Sequence, residues 1–296
     1  MNHMKRLHFI INPVSGNGRS LKVWSRLKSY LDRTGTEYDS HETSSPDHAA
    51  QLAKMYSGSN DDVILTVGGD GTAFEAAQSL LGGESSLAII PAGTGNDFIK
   101  SLKLPNDPLK ILELVLDSEP KPVDAGLIND KIFINACGIG FDVSVLDLSQ
   151  GAKKYFKGII PYLWGVLRTI IHYKPVSISL MIDGEMILTR DILVCSVANG
   201  IFIGGGMPIS PDSKVNDGFL DVVVVENVNR WRMIRYLPGL LSGKILTFKD
   251  TTSYRGQSIT ITSPDRMRLN VDGEVIPVDK AEFRIVPGGL KVFCGL

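Results

Sequence analysis

The sequence predicts an α/β domain, with helices on both faces of a parallel sheet, followed by an antiparallel β-sandwich domain. Up to about residue 121, short apolar β-rich runs alternate with segments of helical spacing, which is typical of parallel strands joined by helices. From "PVDAGLI" onward, β-rich runs follow one another with turns between them, which is typical of antiparallel sheets. The length of 296 residues also favours two domains, because single cores stop growing at about this size.

The first domain is predicted to cover residues 1–121 and to begin with alternating strands and helices. The predicted strands are "LHFII" (7–11), "EYDSHET" (37–43), "DVILTV" (62–67) and "SLAIIPAG" (86–93). The predicted helices are "LKVWSRLKSYL" (21–31) and "PDHAAQLAKMYS" (46–57). The first helix repeats apolar residues at helical spacing, and the second has a proline near its start, where a missing N–H costs little.

The second domain is predicted to cover residues 122–287. Its predicted strands are "KIFINACGIGFD", "VSISLMID", "DILVCSVAN", "FLDVVVVE", "SITITS", "RMRLNVDG" and "AEFRIVP". One helical stretch (158–173) interrupts them, and its apolar face is expected to pack on the sheet. That face consists of Ile160, Leu163, Trp164, Leu167 and Ile171. The closing "GGLKVFCGL" predicts a last strand near 288–296, which the sequence assigns to neither domain.

Composition and missing motifs exclude several classes of protein. The balance of 31 basic and 32 acidic residues gives no general attraction to nucleic acid. Three scattered cysteines without a CxxC pair fit reduced thiols, and the absence of a signal peptide or a long apolar run predicts a cytoplasmic protein. The histidines form no HExxH motif and no GxSxG elbow occurs, which disfavours zinc enzymes and common hydrolases.

Three glycine-rich turns follow predicted strands of the first domain. "NPVSGNG" follows the first strand, "GGDGT" the third and "PAGTGND" the fourth. The carboxyl ends of parallel strands share one sheet edge, where helix N-termini offer free N–H groups to anions. Glycines allow the backbone to approach phosphate oxygens closely, and Ser15, Thr72 and Thr94 add hydroxyl donors. The turns therefore predict a phosphate site, although the P-loop and GxGxxG patterns are absent.

Two acidic residues lie in these turns. Asp70 and Asp97 would repel phosphates unless a divalent cation intervenes, so they indicate either Mg²⁺ or the orientation of a reacting group. The alternative is structural, since either carboxylate could cap the helix that follows its turn.

Five ordered motifs resemble the bacterial diacylglycerol kinase and related lipid kinase family. They are "NPVSG", "GGDGT", "PAGTGND", "PDSKVNDGFLDVVVV" and "VDGE". More distant relatives, which share GGDGT alone, are sphingosine kinases, NAD kinases and phosphofructokinases. The resemblance implies ATP-dependent phosphorylation of a lipid hydroxyl in a cleft between a nucleotide domain and a β-sandwich.

The resemblance also implies which residues contact the nucleotide. They are Asn12, Pro13, Val14, Ser15, Gly16, Thr43, Gly68, Gly69, Asp70, Gly71, Thr72, Ala73, Phe74, Thr94 and Asn96. Glu274 of "VDGE" corresponds to the general base, a role that suits a carboxylate because an alcohol is a poor nucleophile at pH 7. Local sequence alone favours an exposed hairpin turn, and "IDGE" at Glu185 has the same letters.

The resemblance further implies a structural Mg²⁺ loop at "SKVNDGFLD" (213–221). Asp217 would supply a carboxylate oxygen, and Lys214 and Phe219 backbone carbonyls. The alternative is an "NDG" turn before a strand, which is compatible with metal binding.

The favoured function is phosphorylation of diacylglycerol to phosphatidic acid with ATP and Mg²⁺. A sphingoid base, phosphatidylglycerol or NAD remain alternative acceptors, and a nucleotide-binding regulatory protein with little activity is a further alternative. A membrane lipid requires peripheral contact with a bilayer, for which Lys153, Lys154 and Lys157 could meet anionic headgroups. Nucleic acid is not expected as a partner, and a homodimer is left open.

Overall fold

The computed structural model describes residues 5–152 and 160–296. The chain divides into two compact units. The first unit comprises the described residues up to Ala125 together with Pro287–Leu296, and the second comprises Gly126–Val286. The closing segment, which the sequence assigned to neither domain, therefore belongs to the first unit.

The first unit contains the strands and helices that carry the glycine-rich turns. Its strands are β1 (Arg6–Ile11), β2 (Tyr38–Glu42), β3 (Asp62–Gly68) and β4 (Ser86–Pro91). Its helices are α1 (Arg19–Thr34), α2 (His48–Tyr56), α3 (Asp70–Leu80), α4 (Asp97–Ser101) and α5 (Pro108–Asp117), and a 3₁₀ turn covers Ser15–Gly18. Strand β5 (Lys121–Ile128) leads into the second unit, and the last long strand, β15 (Glu274–Val292), ends in the first.

Parallel pairing orders the strands of the first unit as β2-β1-β3-β4, with the end of β15 beside β4. Every residue of β3 is buried, as expected for a central strand covered on both faces. Apolar side chains of α1 and α5, such as Leu27 and Ile111, join one core cluster with alternate residues of β1 and β3. Helices α2 and α3 contact each other and the same sheet.

The second unit is an antiparallel β domain with three helices among its described residues. Its strands are β6 (Lys131–Phe133), β7 (Ala136–Gly140), β8 (Val176–Ile182), β9 (Glu185–Ala198), β10 (Phe202–Ile203), β11 (Met207–Pro208), β12 (Leu220–Glu226), β13 (Thr251–Gly256) and β14 (Ser258–Val271). Its helices are α6 (Phe141–Ala152), α7 (Ile160–His172) and α8 (Arg230–Leu241), with a 3₁₀ turn at Ile245–Thr247. The strand order β13-β12-β9-β7-β14-β15, with β8 joining β9 and β14, is antiparallel at the pairs from β13 through β15. The predicted antiparallel C-terminal domain is confirmed.

Helix α7 packs on the sheet through a different face from the one predicted. Val166 and Ile170 are buried, whereas Trp164, Leu167 and Ile171 are exposed, so the packing prediction is wrong for these three residues. Both faces carry apolar residues, and periodicity alone could not choose between them. The side chains of Ile160 and Leu163 lie outside the described residues, as do Lys153, Lys154 and Lys157.

Within the described part of the chain, none of the helices has both the length and the apolar character needed to cross a bilayer.

Candidate active site

The three glycine-rich turns touch one another at the carboxyl edge of the parallel sheet. A Cβ on Gly93 would lie 2.5 Å from the Cα of Gly69, and a Cβ on Gly16 would lie 2.1 Å from the carbonyl oxygen of Ala92. The Ala92 N–H also donates to the Gly68 carbonyl at 2.7 Å. Glycine is thus required where the turns meet, because any side chain would separate them.

Asn12 fixes the first turn to the second. Its Nδ2 donates to Thr72 Oγ1 at 3.1 Å, and its Oδ1 accepts the Val14 N–H at 3.2 Å. Its backbone N–H donates to the Val67 carbonyl at 3.1 Å. Both polar atoms of the Asn12 side chain therefore form hydrogen bonds within the protein, and Asn12 holds the first and second turns together.

The outer surface of these turns is open. A Cβ added to Gly71 would have no heavy atom within 4 Å, and Gly71, Thr94 and Val14 are exposed. Ala73 and Phe74, by contrast, have buried side chains. Their side chains therefore support the turn from inside and do not face a nucleotide.

Asp70, the first residue of α3, binds the third turn through its side chain. Its carboxylate accepts the backbone N–H of Asp97 at 3.0 Å and that of Phe98 at 3.2 Å. It thus caps α4, and not the helix that follows its own turn as the structural alternative supposed. Burial raises the pKa of Asp70, with a further increase from the Asp97 charge and an opposing decrease from the two N–H donors.

Asp97 and Asn96 stand at the beginning of α4. The Asp97 side chain is buried, and its Oδ1 lies 3.1 Å from the Lys100 ammonium. Asn96 has a left-handed backbone with a φ of 53°, and its Nδ2 donates to the Gly93 carbonyl at 3.0 Å. The buried Asn96 Oδ1 has no hydrogen-bond partner among the described residues, so it remains an acceptor beside the turns.

Thr43 also lies at this edge. It directly follows β2, and its N–H donates to the Ile11 carbonyl at 2.8 Å, which brings it next to Asn12. Thr43, which the resemblance assigns to the nucleotide, is thus spatially close to the first turn.

Glu274 is the first residue of β15, in the second unit, and it is exposed. It follows a tight turn in which Asp272 and Gly273 have φ values of 45° and 98°, as a type I′ hairpin requires. The Asp272 carboxylate accepts three successive backbone N–H groups, those of residues 134–136, at 2.7 to 3.1 Å. The Gly273 N–H donates to Asn270 Oδ1 at 2.9 Å. These bonds attach the turn firmly to the domain.

The hairpin at Glu185 has the same backbone form. Asp183 and Gly184 have φ values of 49° and 86°, and Glu185 is exposed at the start of β9. The Asp183 Oδ1 accepts the N–H groups of Gln257 and Ser258 at 3.0 and 2.9 Å. The two Asp-Gly-Glu hairpins therefore differ in their surroundings and not in their local geometry.

Asp142 and Asp124 are buried acids that the sequence analysis did not single out. Asp124 accepts the Gly288 N–H at 2.7 Å, and Asp142 accepts from Asn270 Nδ2 at 3.3 Å. Burial raises the pKa of Asp142 to about 6, although hydrogen bonds from Asn270 and from backbone N–H groups lower it. A sequence signal for burial was available, because each acid stands among apolar or small residues: Asp124 in "PVDAG" and Asp142 in "GIGFD".

The Asp217 carboxylate makes one hydrogen bond within its loop and one ion pair, with Arg255. Asp217 Oδ1 accepts the Phe219 N–H at 3.2 Å, while its buried Oδ2 accepts no hydrogen bond from the described residues. Oδ2 is the kind of oxygen that binds Mg²⁺, and Lys214 and Phe219 have backbone carbonyls in the same loop. Arg255 Nη1 lies 3.2 Å from Oδ2 and would compete with the cation. The described residues contain no cluster of three or more His, Cys, Asp or Glu that could hold a metal.

The fold and these turns define a class of two-domain proteins with a kinase catalytic domain. The model of the diacylglycerol kinase catalytic domain matches residues 6–128, and that of the YegS C-terminal NAD kinase beta sandwich-like domain matches residues 135–294. The chain therefore belongs to the family of bacterial diacylglycerol kinases and related lipid kinases, and the predicted resemblance is confirmed.

Individual relatives match over most of their length. The diacylglycerol kinase of Bacillus subtilis is 29% identical over 92% of this chain and 90% of its own. A Pseudomonas aeruginosa protein named "Probable lipid kinase YegS-like" is 33% identical over 77% of this chain and 75% of its own. The crystal structure of a diacylglycerol kinase from Bacillus anthracis shares the fold, with a TM-score of 0.74 at 23% identity over 100% of this chain and 98% of that one.

Proposed function

We propose that this protein is an ATP-dependent lipid kinase that transfers the γ-phosphate of ATP to the hydroxyl of diacylglycerol, which gives phosphatidic acid. The observation that carries the proposal is the meeting of three glycine-rich turns at one sheet edge, in a chain of the lipid kinase family. Converging turns with bare backbone are suited to phosphates, and a sheet without a ligand has no need to expose them.

The nucleotide phosphates would lie over Gly71 and its neighbours. The N-terminus of α3 begins there, so its first N–H groups and the helix dipole favour negative charge. Asn12 and Asp70 would act as positioning residues, because their side chains tie the turns to each other. Thr94 and Asn96 Oδ1 are available for further contacts, and ATP would enter as its Mg²⁺ complex.

Glu274 would act as the general base. In the transfer, the lipid hydroxyl oxygen forms a bond to the γ-phosphorus while the bond to the ADP oxygen breaks, and the hydroxyl proton passes to the carboxylate. Several hydrogen bonds fix the turn that precedes Glu274, which supports a defined position for the backbone from which the exposed carboxylate extends.

An assay with labelled ATP tests the proposal directly. Incubation of the protein with Mg²⁺, a lipid extract and ATP radiolabelled at its γ-phosphate is expected to label one lipid, which should co-migrate with phosphatidic acid on thin-layer chromatography. Purified diacylglycerol should then give the same product. Labelling of a sphingoid base, of phosphatidylglycerol or of NAD in place of diacylglycerol would identify that molecule as the acceptor. If ATP binds but no phosphoryl transfer occurs, the result would favour a nucleotide-binding regulatory protein.

The Asp217 loop would hold a structural Mg²⁺. Mg²⁺ at tenfold its Kd, without nucleotide, should stabilise the fold by about 1.4 kcal/mol, which corresponds to roughly 3–5 °C in melting temperature for such a domain. Calorimetry should detect this rise in the wild type and lose it in Asp217→Ala. Asp279→Ala, which removes an exposed carboxylate, should retain it. Equal Mg²⁺ stabilisation of all three proteins would contradict the assignment.

A further inference from the structure

The two Asp-Gly-Glu hairpins of the second unit differ at the residue two places before the aspartate. Their turns have the same register, since in each hairpin the residue before the aspartate pairs with the glutamate. The differing residue is Asn270 in the hairpin of the candidate base and Met181 in the other. An amide side chain both donates and accepts hydrogen bonds, whereas a thioether is only a weak acceptor. The two hairpins therefore have different means of fixing their turns.

Asn270 forms a hydrogen bond with the turn that precedes the candidate base. Its Oδ1 accepts the Gly273 N–H at 2.9 Å, and Gly273 directly precedes Glu274. The Asp272 carboxylate provides a separate attachment, because it accepts the N–H groups of residues 134–136. The turn of the candidate base is thus attached at two successive residues.

The other hairpin has the aspartate attachment but not the asparagine one. The Asp183 Oδ1 accepts the N–H groups of Gln257 and Ser258. Met181 cannot supply the second attachment, because its side chain has no amide oxygen for the Gly184 N–H. The asparagine attachment is therefore specific to the hairpin of the candidate base.

A buried carboxylate fixes the orientation of the Asn270 amide. Asn270 Nδ2 donates to Asp142 Oδ2 at 3.3 Å, and Asp142 is 9% exposed. Although burial raises the pKa of Asp142 to about 6, the group is largely ionised at pH 7. An ionised carboxylate only accepts hydrogen bonds, so the amide must turn its NH₂ group toward Asp142 and its oxygen toward Gly273. Asp142 therefore selects the orientation in which Asn270 can bind the turn.

The titratable groups that interact with Asp142 are neutral at pH 7. Burial raises the pKa of the Cys137 and Cys195 thiols and of the Tyr173 hydroxyl from values that already lie above 7. In such surroundings the dielectric constant is low, and a hydrogen bond to an ionised group is stronger than one between neutral groups. The bond between Asp142 and Asn270 is therefore suited to hold the amide in place.

The sheet leaves room for this carboxylate beside Asn270. Gly138 of β7 pairs with Asn270 of β14, and a Cβ on Gly138 would lie 1.8 Å from Asp142 Oδ2. Any larger residue at this position would push the carboxylate away from the amide. Asp142 itself is the second residue of α6, which directly follows β7. One continuous segment, residues 134–142, therefore supports the turn through both attachments.

We propose that Asn270 is a positioning residue for the general base Glu274, because it fixes the preceding turn through the Gly273 N–H while Asp142 orients its amide. The proposal rests on the lipid kinase function, and it specifies why one of two Asp-Gly-Glu hairpins is catalytic. The Glu274 carboxylate must lie within hydrogen-bond reach of the acceptor hydroxyl. A small displacement of its backbone should therefore slow phosphoryl transfer without weakening nucleotide binding.

Amide hydrogen exchange tests the Asn270 bond without turnover. Gly273 and Gly184 both lie between an aspartate and a glutamate, so their intrinsic exchange rates are nearly equal. In the wild type, NMR should show the Gly273 N–H exchanging about fivefold or more slowly than the Gly184 N–H, because one hydrogen bond protects it. Asn270→Ala should remove the difference. Equal exchange at the two glycines of the wild type would overturn the proposal, and this comparison needs no variant to fold.

Steady-state kinetics test the positioning role. Asn270→Ala should lower kcat for diacylglycerol about tenfold, with KM and ATP affinity near wild type. Asn129→Ala is the matched control, because the Asn129 side chain also bridges two backbone groups of the second unit, the Lys280 carbonyl and the Glu282 N–H. Its kcat should stay near wild type. Melting temperatures verify that both variants are folded, and equal losses of kcat in the two would overturn the proposal.

A double-mutant cycle separates positioning from general damage. If Asn270 acts through Glu274, adding Asn270→Ala to Glu274→Gln should lower kcat by less than about twofold, because the base has already been removed. Damage that is independent of the base would instead repeat the full loss in the Glu274→Gln protein, which would contradict the positioning role.

The outcomes separate this proposal from the proposed function. If the wild type phosphorylates diacylglycerol and Asn270→Ala is equally active, the kinase function stands and the positioning role is wrong. If the wild type transfers phosphate to no acceptor, the kinase function fails. The role of Asn270 for a base then fails with it, even where the Gly273 N–H is protected.

Discussion

Replacement of Glu274 by glutamine is expected to lower turnover of diacylglycerol by about 10²-fold or more, with little change in ATP affinity. Glutamine keeps the size of the side chain and most of its hydrogen bonding, but it cannot accept the hydroxyl proton. The loss should therefore appear in kcat. Steady-state assays give kcat and KM, and calorimetric titration with a non-hydrolysable ATP analogue gives the affinity.

Glu185→Gln is the matched control for this substitution. Both glutamates follow an Asp-Gly turn with the same backbone form and are exposed, so damage to the hairpin should be equal in the two variants. Turnover of Glu185→Gln is expected to stay near wild type. If the two variants lose activity equally, or if Glu274→Gln remains fully active, the base must be sought elsewhere. Asp97 and Asp70 are the next candidates.

Much of the fold could be predicted from the sequence, because local signals and tertiary packing agree. The buried strand at Asp62–Gly68, for example, is a mostly apolar run followed by a glycine-rich turn. Helix α8 was missed, since Pro238 and Gly239 lie inside it and both disfavour helix. Its start has a recognisable signal, as the Asn229 side chain caps the Arg232 N–H. Packing on the sheet outweighs the local propensity here.

The candidate site was predictable where chain topology alone brings residues together. Loops after parallel strands share an edge, so the contact between Gly69 and Gly93 follows from the strand order. Asp142 was not predictable in this way. Its partner Asn270 is 128 positions away, and Asp142 lines an apolar cavity between helices whose packing faces the sequence did not fix. The hydrogen bond from the N-terminus of α4 to Asp70 was not predictable either, because it depends on the path of the third turn.

Replacement of Gly71 by valine is expected to abolish ATP binding in a protein that stays folded. Gly71 is the second residue of α3, is exposed, and would have no heavy atom within 4 Å of a Cβ placed on it. A β-branched side chain would thus fill the space above the turn where phosphate oxygens should approach the backbone. Because valine favours helix over glycine by about 0.5 kcal/mol, stability should not fall. Calorimetric titration with ATP and a thermal melt measure the two effects separately.

Two further variants make this result specific. Gly71→Ala adds one methyl group to the same space, so its ATP affinity should lie between wild type and Gly71→Val. Gln78→Val places the same β-branched residue at an exposed position later in α3, and should bind ATP as wild type does. Unchanged ATP affinity in folded Gly71→Val would mean that the phosphates do not contact this turn. The open edge formed by the three turns would then need a different ligand, and the assignment of Thr94 and Asn96 to the nucleotide would be withdrawn with it.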